Sequence, residues 1–148
     1  MVVENVLLSD VRGTQYAKKI RRTMFAIGKK YDIPKEEILK TSGRINVALY
    51  ELLNKRIEDY KRTIHIMSGL DTESIDNISV LRRINIDISG VIEIDEEKKT
   101  MTPKDFMIEV KYPIIVTITE KLEIPQNVES SDVESVEQTQ EEWFQKFL

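Results

Sequence analysis

The stretch Ile84-Asn85-Ile86-Asp87-Ile88-Ser89-Gly90-Val91-Ile92-Glu93-Ile94-Asp95 decides the fold class. Isoleucine stands at 84, 86, 88, 92 and 94, with Asn85, Asp87, Ser89, Glu93 and Asp95 opposite. A period of two belongs to a strand with one buried face. Gly90 keeps the register and marks a candidate bulge or bend. A second alternation follows: Phe106, Ile108, Val110, Tyr112, Ile114, Val116 and Ile118, with Glu109, Lys111, Thr117 and Thr119 opposite. Glu96 to Pro103 is a charged turn region between the two. One-faced strands joined this way predict an antiparallel hairpin whose apolar side needs covering. Pro113 cannot donate a ladder hydrogen bond, which points to an edge or a bulge. Val2 to Leu8 is a candidate further strand.

Upstream the period is that of a helix. Ala17, Ile20, Met24, Ile27 and Tyr31 recur at three and four, with Thr14 as candidate N-cap. Pro34 fits the first turn of a short second helix, with Glu36 and Glu37 near its positive end. Thr41-Ser42-Gly43 is expected to break that helix and cap a third. Ile45, Leu49, Leu52, Leu53, Ile57, Tyr60 and Ile64 keep helical spacing for the third. Gly69 to Asn77 is polar and reads as a linker. The expected fold is α+β, with N-terminal helices packed on an antiparallel hairpin or small sheet.

The 148 residues suit one domain, 1–125, followed by a tail, 126–148. The net charge of −4 conceals +6 over residues 1–67, −5 over 68–125 and −5 over the tail. Absence of cysteine excludes disulfides, thiol catalysis and Cys-ligated zinc. Neither a signal peptide nor an apolar run of membrane-spanning length is visible, so the expected location is cytoplasmic. High charge, few glycines and abundant isoleucine match a thermophile's composition.

Signatures of catalysis are missing. His65, the single histidine, fits packing or C-terminal capping better than a metal site. Asp71, Glu73 and Asp76 read as solvated or capping residues, and Asp95-Glu96-Glu97 as a turn. With no phosphate-binding glycine loop and no activated nucleophile in view, neither enzyme activity nor a cofactor is expected.

Binding signals are stronger. The bases of the first helix, Lys18, Arg21, Arg22, Lys29 and Lys30, are either a solvated face or contacts to phosphates or a protein partner. Ile33 to Lys55 loosely matches a helix-turn-helix with Gly43 as its turn glycine. Leu39 stands there where a small residue is wanted, and Asn46 is nearly the only base-reading side chain.

The tail carries Glu129, Asp132, Glu134, Glu137, Glu141 and Glu142, then ends on Trp143-Phe144-Gln145-Lys146-Phe147-Leu148. Such an acidic run, with only Val128, Val133 and Val136 as aliphatics, is expected to be disordered. A short terminal helix would put Trp143, Phe144, Phe147 and Leu148 on one face, as a partner anchor or a fold-back contact. Gln140-Glu141-Glu142-Trp143 loosely matches a sliding-clamp box, but Lys146 stands where an aromatic pair is wanted.

The Tyr16–Ala26 run resembles the opening helix of a family of small crenarchaeal proteins. The acidic run Glu129 to Glu142 is similar to the tail of small acidic-tailed accessory subunits of crenarchaeal B-family DNA polymerase holoenzymes. That resemblance implies a non-catalytic subunit bound to the large polymerase chain, its tail restraining strand displacement. The implied partner is a large protein, a B-family DNA polymerase, with DNA contacted indirectly and neither membrane nor small-molecule substrate involved. The alternative is a nucleic-acid-binding or transcription-linked protein that uses the basic first helix and is self-inhibited by its tail.

Overall fold

Each isoleucine on the inner face of the first alternation is removed from water: Ile84, Ile86, Ile88, Ile92 and Ile94 are fully buried. The computed structural model describes residues 1–112 and 117–146, the side chains of Trp143, Phe144 and Lys146 apart. It contains a four-stranded antiparallel sheet in the order β1-β2-β3-β4, from β1 (Val2–Arg12), β2 (Asn85–Asp95), β3 (Thr100–Lys111) and β4 (Ile118–Lys121). Between β1 and β2 come α1 (Tyr16–Lys30), α2 (Lys35–Ser68), a 3-10 turn (Thr72–Ser74) and α3 (Asn77–Arg83). After β4 comes α4 (Ser130–Lys146). The helices supply the cover that the one-faced hairpin requires, and the fold is α+β as expected.

Two bulges let the strands keep one apolar face. On β1 the pairing with β2 shifts between Leu8 and Val11, so Val6 and Val11, five apart, are both buried. On β3 a shift opposite Gly90 brings Met101 and Phe106 inward together. An extra residue resets the alternation by one, which a strict period of two cannot do. Asp10 and Asp105 occupy these bulges at φ 52° and 53°, the left-handed region that aspartate tolerates better than most residues. Gly90 lies under the Phe106 ring, which a Cβ would meet at 2.4 Å, so the glycine makes room for the aromatic.

The expected break at Thr41-Ser42-Gly43 is corrected: α2 runs unbroken for 34 residues from Lys35 to Ser68. Gly costs about 1 kcal/mol in a helix relative to Ala, and Ser and Thr about half that each. Burying a single Ile or Leu returns about 1.5–3 kcal/mol. Ile38, Ile45, Leu49, Leu53 and Ile57 are all buried on α2, so the breakers lose. They are also used: Thr41 Oγ1 donates to the Met101 carbonyl (3.2 Å), and Gly43 faces Val133 of α4. The helix-turn-helix reading falls with the missing turn. Gly69, at φ 73°, ends α2 as its left-handed cap.

Two further boundaries move. The presumed linker 69–77 holds the 3-10 turn, capped by Asp71, and leads into α3, capped by Asp76, so these acids are capping residues. The second alternation is not one strand. Ile118 pairs with Val110 in an antiparallel ladder, so it belongs to a strand separate from β3, and it is partly exposed. The expectations for Pro113, Ile114 and Val116 lie outside the described residues. His65 closes the end of α2: its Nδ1–H donates to the Leu70 carbonyl (2.6 Å).

The β1 bulge is held by charge as well as shape. The Asp10 N–H donates to Asp87 Oδ1 (2.8 Å), and Lys111 Nζ lies 3.1 Å from Asp10 and 3.0 Å from Asp87. The backbone bond first, and Lys111 second, hold the Asp87 carboxyl below its usual pKa. A depressed carboxyl stabilises the fold above its unfolded pKa, and that contribution disappears as pH falls through the folded value. Asp87→Asn should therefore cost about 1 kcal/mol near neutrality, with the gap to wild type closing on acidification. Thermal melts between neutral and strongly acidic pH check this; a gap that stays constant with pH contradicts it.

Candidate functional site

The amino-terminal half of α1 and the Glu137–Glu141 stretch of α4 face each other with opposite charge. α1 buries Tyr16, Ala17, Ile20, Met24 and Ile27, which leaves its bases toward the rim of that face. Arg21 pairs with Glu137 (3.3 Å) and Lys18 with Glu141 (3.9 Å). Lys30, also expected as a contact, pairs instead with Glu4 of β1 (3.5 Å). The Tyr31 hydroxyl donates to the same Glu4 carboxylate and, with Lys30, lowers its pKa. Arg22 and Lys29 are exposed and form no ion pair among the described residues.

The segment after Pro125, expected to be disordered, carries a helix over Ser130–Lys146. Counting its aliphatics missed their placement. Val133, Val136 and Gln140 recur at three and four, so they line one face of α4. Val136 is 3% exposed and Gln140 4%. Val133 enters the space left by Gly43, where a Cβ would stand 2.6 Å from its Cγ2. Ahead of α4, the Arg44 Nε–H donates to the Pro125 carbonyl (2.6 Å), and the Leu122 N–H donates to the Phe106 carbonyl (2.8 Å).

Two side-chain amides meet at Ala17. Gln140 Oε1 accepts from its N–H (3.4 Å), and Asn46 Nδ2 donates to its carbonyl (3.2 Å). Asn46, expected as a base-reading side chain, is thus a buried link between α1 and α2. Gln140 Nε2 and Asn46 Oδ1 are buried with no protein partner among the described residues. Each such orphan costs about 1–3 kcal/mol. The half-exposed ion pairs contribute at most about 1 kcal/mol each, and burial of Val136 about 2 kcal/mol. Among the described residues α4 is therefore held by terms of similar size and opposite sign.

Of the expected acidic residues, Glu137 and Glu141 face α1, while Glu129, Asp132, Glu134 and Glu142 are exposed. The expected anchor is not placed: the side chains of Trp143 and Phe144, and Phe147 and Leu148 entirely, lie outside the description. A groove of about 250 Å³ between the helices is bordered by Lys18, Arg21, Glu137, Gln140 and Glu141. Among the described residues there is no cluster of three His, Cys, Asp or Glu side chains suited to a metal ion, and no helix long and apolar enough to cross a membrane.

Gly43→Ala tests the docking of α4 by its sign. Alanine favours α2 by about 1 kcal/mol, but its methyl group collides with Val133. The expected result is an unchanged or raised melting temperature of the body together with faster cleavage of 126–148 by a glutamate-specific protease. Greater stability with unchanged cleavage would show that α4 does not rest on Gly43.

No protein-family model matches this chain, and neither a curated protein nor a solved structure is significantly similar to it.

Proposed function

We propose that this protein is a cytoplasmic, non-catalytic accessory subunit that binds a replicative B-family DNA polymerase and changes how that polymerase handles duplex DNA. The resemblance of its acidic segment to such subunits supplies the partner. The observation that carries the reading is the pairing of α4 with α1, in which Glu137 and Glu141 stand where backbone phosphates would stand against Arg21 and Lys18. An acidic helix that neutralises a basic surface within its own chain has the charge and shape to occupy a basic DNA track on a partner. Tethering beside that track would raise its effective concentration, and weak docking leaves it free to exchange.

A second reading is favoured by the same contacts taken the other way. α1 would be a nucleic-acid-binding face, with α4 as its self-inhibiting cover. The two readings separate by where the effect appears: in the first the acids act on the polymerase, in the second on this chain's own DNA affinity.

Neutralising Glu129, Asp132, Glu134, Glu137, Glu141 and Glu142 to Gln or Asn should leave co-purification with the polymerase intact and increase displacement synthesis by the complex. A scrambled segment of equal charge should behave as wild type, and raised salt should mimic neutralisation. An unchanged displacement rate at low salt refutes the first reading. If the neutralised chain instead gains DNA affinity on its own, and further Gln substitution of Lys18, Arg21 and Arg22 removes that gain, the second reading holds.

A further inference from the structure

Arginines from two elements meet at the opposite end of β1 from its first residue. Arg12 ends β1, Arg82 and Arg83 end α3, and Asn85 opens β2. With Ser79 they line an open recess of about 570 Å³ that has no carboxylate in its wall. Among the described residues neither Arg12 nor Arg83 forms an ion pair, whereas Lys18, Arg21 and Lys30 on α1 each meet a glutamate.

The backbone beneath this recess is fixed. Arg12 is the β-partner of Asn85, and the Gly13 N–H donates to the Ile84 carbonyl (3.0 Å). Ile84, between Arg83 and Asn85, is fully buried. A Cβ at Gly13 would stand 2.6 Å from the Leu81 carbonyl oxygen, so glycine lets the end of β1 close onto the last turn of α3. That contact brings Arg12 beside Arg82 and Arg83. Placing bases at a helix C-terminus complements its dipole, which accounts for the pair on α3. It gives no reason for a third arginine delivered by a strand. Asp76, the acid at the other end of α3, is occupied by the Ile78 N–H and the Ser79 hydroxyl (3.4 Å).

We propose that this recess binds consecutive phosphates of a nucleic acid backbone. Guanidinium forks match phosphate oxygens in two-point contacts, and Asn85 adds an amide donor. The recess is open and has room beyond one phosphate group, as a continuous strand requires. Contacts to phosphate oxygens carry no sequence information, so the binding is independent of sequence, and no aromatic side chain lines the recess to stack on a base. The site lies outside the α1–α4 groove and needs neither α4 nor a polymerase.

The test uses the full chain alone, with labelled oligothymidylate and a random-sequence duplex as probes, read by anisotropy across a salt series. Wild type should bind at low salt. Arg12→Gln with Arg83→Gln should weaken single-strand binding about tenfold and reduce the salt slope by about 1.4, two contacts at about 0.7 each. Arg12→Lys with Arg83→Lys should lose less, and the exposed positions should leave the melting temperature unchanged in both variants. Inorganic phosphate should compete only weakly. Strong competition by phosphate, with tighter binding of the free anion than of the oligonucleotide, overturns the backbone assignment. So does unchanged affinity and slope in the Gln variant, or no oligonucleotide binding by wild type at low salt. Because no polymerase is present, failure here leaves the accessory reading untouched, and failure of that reading leaves this one standing.

Discussion

The apolar face of the sheet depends on the cover that its helices supply, α2 being the longest of them. The inner row of β2 exposes nothing to water, and β2 is paired on both sides. A row of β-branched side chains on a central strand cannot face solvent without losing about 2 kcal/mol per residue. α2 is long enough to span that row and still reach α1, α3, β3 and α4. Arg56 of α2 extends the hold to β4, since its guanidinium pairs with Glu120 while also meeting Asp59 (2.8 Å). Tyr60 of α2 stacks on Tyr112, with ring centroids 5.3 Å apart. Burial of that phenol pushes the Tyr112 pKa up to about 12.

The strength of the α2 cover has a consequence for its weakest neighbour. Thr41, Ser42 and Gly43 survive inside α2 because the apolar residues around them outweigh their helix cost. Gly43 then offers a notch on the outward side of an otherwise rigid rod, and Val133 takes it. α4 thereby joins the fold through a narrow contact while keeping most of its carboxylates in water. Among the described residues α4 is held by one notch, the buried Val136, one amide and two screened ion pairs, which suits reversible use. A helix sunk into the core would not.

Charge is partitioned in the same way. Lys18 and Arg21 near the start of α1 are answered from α4, and Lys30 near its end is answered from β1. At the β1–α3 junction neither Arg12 nor Arg83 forms an ion pair among the described residues, and no carboxylate lines their recess. The uneven charge along the chain is thus resolved in space into an ion-paired groove and an arginine-lined recess. The average of −4 describes neither.

Much of the architecture was legible in the residues themselves, because both periods are local. The 3.6 spacing of Ala17 to Ile27 and the alternation of Ile84 to Ile94 each report a buried face without knowledge of what covers it. His65, Asp71 and Asp76 were legible as caps because a cap acts within a few residues. The sequence by itself thus determined an α+β chain, its core faces and the caps at His65, Asp71 and Asp76, though not Thr14 as an N-cap, since Gln15 precedes α1 with no side-chain cap bond. Tertiary structure alone decided the rest: that Thr41-Ser42-Gly43 continues a helix, that Asp10 and Asp105 reset strand phase, that Asn46 faces Ala17 rather than a base, and that an acidic run folds onto α1. Each of these depends on a partner far along the chain, Met101 for Thr41, Asp87 for Asp10, Gly43 for Val133, Arg21 for Glu137. Local propensity is worth only tenths of a kcal/mol to about 1 kcal/mol per residue, so such long-range contacts overrule it wherever they exist.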